Sequence, residues 1–182
     1  MFVLVEATPN PNTRKFMPGK HLSSIPREFT RTMKGGDPLV HAIFSLPEVK
    51  TVLISEDAIS ITIEDEKGWE SALPTLRKTI EAGFSPDYVV DDSHPIADTA
   101  VDFDEKDATV VETIRNLLDT RIRPAIARDG GDVVFRSYRD GILGLQMKGA
   151  CSGCPSSSAT LKHGIRHMMQ YFVPEVIDVV EV

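Results

Sequence analysis

Two cysteines near the end of the chain, Cys151 and Cys154, are the residues whose type and spacing most favour chemistry. Two intervening residues allow both sulfurs to converge on one point, and Gly153 permits the tight backbone turn that this requires. A helix is predicted to start at Pro155, since proline is favoured at a first helical position. The N–H groups and the dipole of a helix start lower the pKa of a nearby thiol. This setting suits a metal centre or a redox dithiol.

Two classes of site use a cysteine pair of this kind without further ligands from the same chain. A dithiol–disulfide oxidoreductase also places the pair at a helix start, but its usual position near the first βαβ unit of the fold is absent here. An iron–sulfur centre is the other class, because cysteine thiolates are its standard ligands. Two cysteines are half of a full set of four, which implies two chains sharing one cluster.

A zinc site is the third possibility, because His163 and His167 complete the spacing Cys-x2-Cys-x8-His-x3-His. The spacer of eight is shorter than that of a zinc finger. At a rise of ~1.5 Å per residue, the two histidines lie about 13 and 20 Å along the helix that follows the cysteines. All four side chains therefore cannot meet at one ion, and we expect the histidines on a solvent-exposed helix face.

The composition limits the class of protein. Of 182 residues, 41% are hydrophobic and 26% charged, as in globular proteins that bury apolar cores. No stretch approaches the ~20 apolar residues of a membrane-spanning helix, and residues 1–10 lack the basic and apolar regions of a secretory signal. The net charge of -7 repels the phosphates of nucleic acids. We therefore expect an intracellular protein with no membrane and no nucleic-acid partner.

The acidic residues concentrate in the middle of the chain. Residues 91–107 carry seven Asp or Glu against one Lys, whereas the charges nearly balance on either side. The span 87–106 shows neither a helical nor an alternating hydrophobic period, and its like charges favour an extended conformation. We predict an acidic linker at 87–106 between a first domain at 1–86 and a second domain at 107–182.

The first domain is predicted to be α+β. Apolar, β-rich segments indicate strands at 2–5, 14–17, 49–54 and 58–63. Asp37 before Pro38 predicts the N-terminus of a short helix. Apolar residues from Trp69 to Ile80 recur at the helical period, and Gly83 is expected to end that helix.

The second domain is predicted to have the order α-β-β-α-β. A helix from about 107 to 128, kinked at Pro124, is expected to stop at the two glycines that follow Asp129. Strands at 133–135 and 142–147 form a hairpin that turns at residues 139–141. The last helix precedes a strand at 176–182 and is expected to bury the following side chains: Leu161, Ile165, Met168, Met169 and Phe172.

Two blocks of residues resemble known domains. The second half resembles the C-terminal domain of the NifU family in the following residues: Arg123-Pro124, Asp129-Gly-Gly-Asp132, Gly149-Ala-Cys-Ser-Gly-Cys-Pro-Ser-Ser157, Thr160-Leu161-Lys162, Gly164-Ile165 and Val173-Pro174-Glu175-Val176. The first half resembles the Nfu-type N-terminal domain in these: Thr8-Pro-Asn-Pro-Asn12, Lys15-Phe16 and Pro18-Gly19. Together the blocks span nearly the whole chain except the acidic linker.

The resemblance implies an iron–sulfur cluster scaffold or carrier, built from two small α/β-sandwich-like domains, and not an enzyme. Cys151 and Cys154 would bind iron in a [4Fe–4S] cluster held between the cysteine pairs of two chains. The partners it implies are apo iron–sulfur proteins as acceptors, upstream cluster-assembly proteins as donors, and a second copy of the chain. The expected compartment is the bacterial cytoplasm, or the mitochondrial matrix if a presequence has been removed.

We expect limited proteolysis to cut the chain between residues 87 and 107 and to leave two folded fragments, because an extended acidic span is accessible to a protease. Mass spectrometry of the fragments identifies the cut. Trimming of both termini without cleavage in this span would contradict the two-domain organisation.

Overall fold

The structure is a computed structural model that describes residues 2–32, 37–84, 88, 90, 101–153 and 155–182, without the side chains of 155–159. The chain divides into two compact units, Met1–Ile96 and Ala97–Val182, each with its own hydrophobic core. Both units combine helices with a sheet, which confirms the predicted α+β class. No helix in these ranges is long and apolar enough to cross a membrane.

The first unit is a five-stranded antiparallel sheet with two helices. Its strands are β1 (Leu4–Ala7), β2 (Thr13–Met17), β3 (Arg27–Thr30), β4 (Val49–Ile54) and β5 (Ile59–Ile63), in the order β1-β2-β5-β4-β3. Its helices are α1 (Pro38–Phe44) and α2 (Trp69–Gly83). One face of the sheet and the apolar faces of both helices share a single core, to which Phe16, Ile61 and Leu76 contribute fully buried side chains.

Asp37 caps α1 and also binds the side chain of Tyr88, which lies in the predicted linker. One carboxylate oxygen accepts hydrogen bonds from the backbone N–H groups of Leu39 and Val40, at 2.9 and 3.1 Å. The other accepts the hydroxyl of Tyr88 at 2.8 Å, and burial together with this hydrogen bond raises the pKa of Tyr88. Tyr88 and the buried Val90 thus pack with the first unit although they fall in the predicted linker.

The second unit is a four-stranded mixed sheet covered by helices. In chain order it contains β6 (Asp102–Phe103), α3 (Ala108–Leu117), α4 (Arg123–Arg128), β7 (Gly131–Arg139), β8 (Ile142–Gly149), α5 (Pro155–Phe172) and β9 (Asp178–Glu181). The sheet order is β6-β7-β8-β9, with β7 and β8 antiparallel and the two outer strands parallel to their neighbours. The order α-β-β-α-β is therefore present, preceded by the short strand β6.

Two predicted backbone signals are confirmed by dihedral angles. Gly130, after the last residues of α4, has φ 77° and lets the chain turn directly into β7. The β7–β8 hairpin turns at Asp140 and Gly141, whose φ values of 48° and 79° are those of the two-residue turn that matches the twist of antiparallel strands.

Two elements of the second unit differ from the predictions. Phe103 in β6 pairs with β7, and Arg139 forms ion pairs with Asp102 and Asp104, so the C-terminal end of the predicted linker is structured. Residues 91–100 lie outside the described part of the chain, and the limits 1–86 and 107–182 stay predictions. The first helix of the second domain is interrupted by a π-helical turn at Leu118–Ile122, ahead of Pro124.

The inward face of α5 also differs in part. Ile165 and Met169 are buried, as predicted, but Phe172 at the end of the helix is 41% exposed. Its ring lies under the guanidinium of Arg121 at 4.7 Å, so a cation–π contact takes the place of burial in the core.

A bidentate ion pair between Arg123 and Asp132 fixes α4 against the beginning of β7. The Arg123 guanidinium donates to both carboxylate oxygens of Asp132, at 2.8 and 3.1 Å, and donates a third hydrogen bond to Asp119 at 2.9 Å. Asp132 is only 3% exposed, and hydrogen bonding to it raises the pKa of Arg123. The pair sets the position of the Gly130–Gly131 segment that lies between its partners in sequence.

We expect Asp132→Ala to destabilise the second unit by about 3 kcal/mol, because it leaves a partly buried guanidinium without its main partner. The matched control is Asp119→Ala, which removes a 61% exposed partner and should cost less than ~1 kcal/mol. Far-UV circular dichroism during urea unfolding measures the effect. Fluorescence of the single tryptophan, Trp69, reports the first unit and should not change. Equal costs for the two variants would contradict the assigned role of Asp132.

Candidate functional site

The turn between β8 and α5 carries Cys151 and is held by backbone hydrogen bonds. The N–H of Ala150 donates to the carbonyl of Gly130 at 3.1 Å, which ties the turn to the end of the α4–β7 connection. The N–H of Cys151 donates to Lys148 at 3.3 Å, and that of Ser152 donates to Gly149 at 3.1 Å. Cys151 is therefore positioned by the main chain.

Two glycines give the turn its path. Gly149, the last residue of β8, has φ 59°, and Gly153 has φ 71°. Both values lie in the left-handed region that side chains disfavour. A side chain on Gly153 would meet no atom within 4 Å, so backbone conformation, and not lack of space, explains glycine there. α5 then begins at Pro155, as predicted.

Gly131 is the residue on which the sulfur of Cys151 rests. A Cβ built on Gly131 would lie 2.4 Å from Cys151 Sγ and 3.2 Å from the Cys151 nitrogen, far inside normal contact distance. The same atom would approach Ile126 of α4 at 3.1 Å. Cys151 is 6% exposed as a residue, and its sulfur thus lies directly against bare backbone at the first residue of β7.

The contact of Gly131 with Cys151 was not predicted from the sequence. The motif Asp129-Gly-Gly-Asp132 predicts a helix end, which Gly130 alone provides, and Gly131 has no positive φ to explain its identity. The signal that could have identified it is the presence of two glycines where a helix end needs one. The register of the hairpin places Gly131 opposite Gly149, so two residues without side chains face each other beneath the turn.

The second predicted ligand, Cys154, lies outside the described residues. The convergence of its sulfur with that of Cys151 therefore stays a prediction. Within the described ranges, no group of three or more His, Cys, Asp or Glu side chains could hold a metal ion.

The histidines of the proposed zinc spacing lie away from the turn. His163 and His167 are exposed on α5, and their ring centroids are 4.8 Å apart. They follow Pro155 by eight and twelve residues, which corresponds to roughly 12 and 18 Å along the helix axis. The structure brings the two rings together with each other and not with Cys151.

Two family models match the chain in separate segments. The model of the NifU-like domain matches residues 114–180, and that of the scaffold protein Nfu/NifU N-terminal domain matches residues 3–87. These matches confirm the resemblance seen in the residues of both halves.

Whole-chain relatives agree with the domain matches. The human mitochondrial NFU1 iron–sulfur cluster scaffold homologue is 39% identical over 186 residues, covering 100% of this chain and 72% of the human protein. The Drosophila persimilis homologue of the same name is 38% identical, and the chain spans 65% of its length.

Solved structures resemble parts of the chain more weakly. A NifU-like protein from Saccharomyces cerevisiae, solved by NMR, covers 52% of this chain and 87% of its own at 22% identity, with a TM-score of 0.46. A Staphylococcus aureus protein, solved by crystallography, covers 44% of this chain and 99% of its own at 23% identity, with a TM-score of 0.40. On the strength of the whole-chain identity, the chain belongs to the Nfu/NifU family of iron–sulfur cluster scaffold proteins.

Proposed function

We propose that this protein binds a [4Fe–4S] cluster as cargo, through Cys151 and Cys154 of two chains, and passes the cluster to apo-proteins. The observation that carries the proposal is the position of Cys151. Its sulfur rests on the backbone of Gly131 at a glycine-built turn that leads directly into α5. A thiolate at such a position is fixed by the fold of the turn and by the core against which Cys151 packs.

The ligand count supports a cluster shared between chains. Four irons require four protein ligands, and each chain offers two cysteines in total. Within the described part of the chain, no group of three or more His, Cys, Asp or Glu side chains forms a further metal site. Two copies of the Cys151–Cys154 turn would supply four thiolates, so cluster binding would bring two chains together.

Delivery follows from the same arrangement. A thiolate of the acceptor forms a bond to iron as the bond between iron and Cys151 or Cys154 breaks, and the released thiolate takes up a proton from solvent. The exchange leaves iron and sulfide oxidation states unchanged, so no oxidant or reductant is needed. Repeating it transfers the cluster from the ligands of the β8–α5 turn to cysteines of the acceptor, without turnover of a small substrate.

The partners proposed for this cycle are apo iron–sulfur proteins as acceptors and upstream cluster-assembly proteins as donors. The first unit, which contributes no cysteine, would recognise them while the second unit holds the cluster. Because the curated relatives are named as mitochondrial, we place this cycle in the mitochondrial matrix, or in the cytoplasm of a bacterial cell.

The alternative is a dithiol–disulfide oxidoreductase that uses the same cysteine pair. Anaerobic incubation with iron and sulfide separates the two functions. A scaffold becomes coloured and retains iron and sulfide through gel filtration, whereas an oxidoreductase stays colourless and instead reduces a disulfide substrate.

We expect Cys151→Ala and Cys154→Ala each to abolish stable cluster binding, because each substitution removes two of the four ligands of a shared cluster. The measurement is iron per chain and the visible spectrum after identical anaerobic reconstitution. The control is the double variant His163→Asn/His167→Asn, which should load as much iron as the unsubstituted chain. Normal iron content in Cys151→Ala, or its loss in the histidine variant, would overturn the ligand assignment.

Gly131→Ala is expected to lower cluster loading severalfold although both cysteines remain. The added methyl group would occupy the space of Cys151 Sγ, at 2.4 Å, and displace the thiol from the turn. Gly164→Ala is the matched control, because a Cβ at that position meets nothing within 4 Å. The same iron assay and a thermal unfolding curve distinguish lost loading from lost folding. If the Gly131→Ala chain bound as much iron as the unsubstituted chain, the contact between Cys151 and Gly131 would not be needed for cluster binding.

A further inference from the structure

The exposed face of α5 carries a pair of metal-binding side chains that the cluster site does not use. His163 and His167 lie one helical turn apart, and both side chains are exposed. Thr160 and Tyr171, which continue the same stripe of the helix, are exposed as well, and Tyr171 is 79% exposed. The two imidazoles are therefore open to solvent.

The separation of the two rings fits a chelate. Histidines at i and i+4 on one helix face are a known arrangement for holding a metal ion. With Zn–N bonds of about 2.1 Å, two imidazoles on adjacent positions of one ion have ring centres roughly 4.5–5.5 Å apart. The ring centroids of His163 and His167 are 4.8 Å apart, which lies within this range. Their planes meet edge to face at 83°, so the exposed rings rotate to direct one nitrogen each toward a common ion.

We propose that His163 and His167 together chelate one divalent first-row transition-metal ion, of the kind that imidazole favours: Zn²⁺, Ni²⁺ or Cu²⁺. Two protein nitrogens leave the remaining coordination positions to water. The site lies about 12–18 Å along α5 from Pro155, so its ion is separate from any metal held at the start of the helix.

The charges around the pair permit this binding. Lys162 and Arg166 adjoin the histidines and oppose a cation. The guanidinium of Arg166, however, is drawn toward Asp178 of β9, with which it forms an ion pair at 3.3 Å. Gly164, between the two histidines, leaves open space beside the helix.

Ni²⁺ binding to the full-length chain tests the proposal, in a Cys151→Ser/Cys154→Ser background that removes competing thiols. Isothermal titration at pH 7.5 should show one equivalent of Ni²⁺ per chain. His163→Asn and His167→Asn should each weaken the affinity at least about tenfold, because losing either nitrogen turns a chelate into a single bond. Cu²⁺ should bind more tightly than Ni²⁺, following the general order of divalent ions.

His41→Asn is the matched control, since His41 is also an exposed histidine but lies in the first unit. It should leave Ni²⁺ binding unchanged. Wild-type affinity in either α5 variant, or no Ni²⁺ binding by the parent, would overturn the proposal. If the serine background does not fold, Zn²⁺ stoichiometry is compared with both cysteines present. In the chain that keeps both cysteines, His163→Asn should bind one equivalent of Zn²⁺ less than the unsubstituted chain. An unchanged Zn²⁺ stoichiometry would contradict the proposal.

Discussion

The contact between Cys151 and Gly131 is the constraint around which the second unit is organised. A sulfur that rests on bare backbone requires a glycine at the first residue of β7, and a hairpin register that brings β7 beneath the β8–α5 turn. It also requires that α4 end just before that glycine, which the left-handed Gly130 allows. Each of these conditions concerns the main chain, so the position of the thiol depends on how the turn, the hairpin and α4 are folded.

The pair formed by Arg123 and Asp132 maintains these conditions. Its partners flank the glycines, one on α4 and one on β7, and its carboxylate is almost completely buried. Breaking it would release α4 from β7 at the point where Ile126 and Gly131 line the space beside Cys151. The family resemblance includes both charged residues, and the structure gives a physical reason for them that is separate from metal ligation.

Local signals in the sequence predicted much of this fold. The cap at Asp37 and the turn at Asp140-Gly141 depend on residues close in sequence, and both are present. Strands β3 and β6 could not be predicted in the same way, because these short outer strands depend on pairing with distant partners. The cysteine pair was evident from its spacing alone. The role of Gly131 was not, since the space that it leaves is filled by a residue twenty positions later.

A cluster shared by two chains through four cysteines, as we propose, has a definite mass. Native mass spectrometry of the full-length chain, reconstituted anaerobically with iron and sulfide, measures that mass. We expect a species with the mass of two chains plus four irons and four sulfides, which loses its cluster and separates into single chains when iron is chelated. A single chain that carries a complete cluster, or a dimer of unchanged mass that carries none, would contradict it.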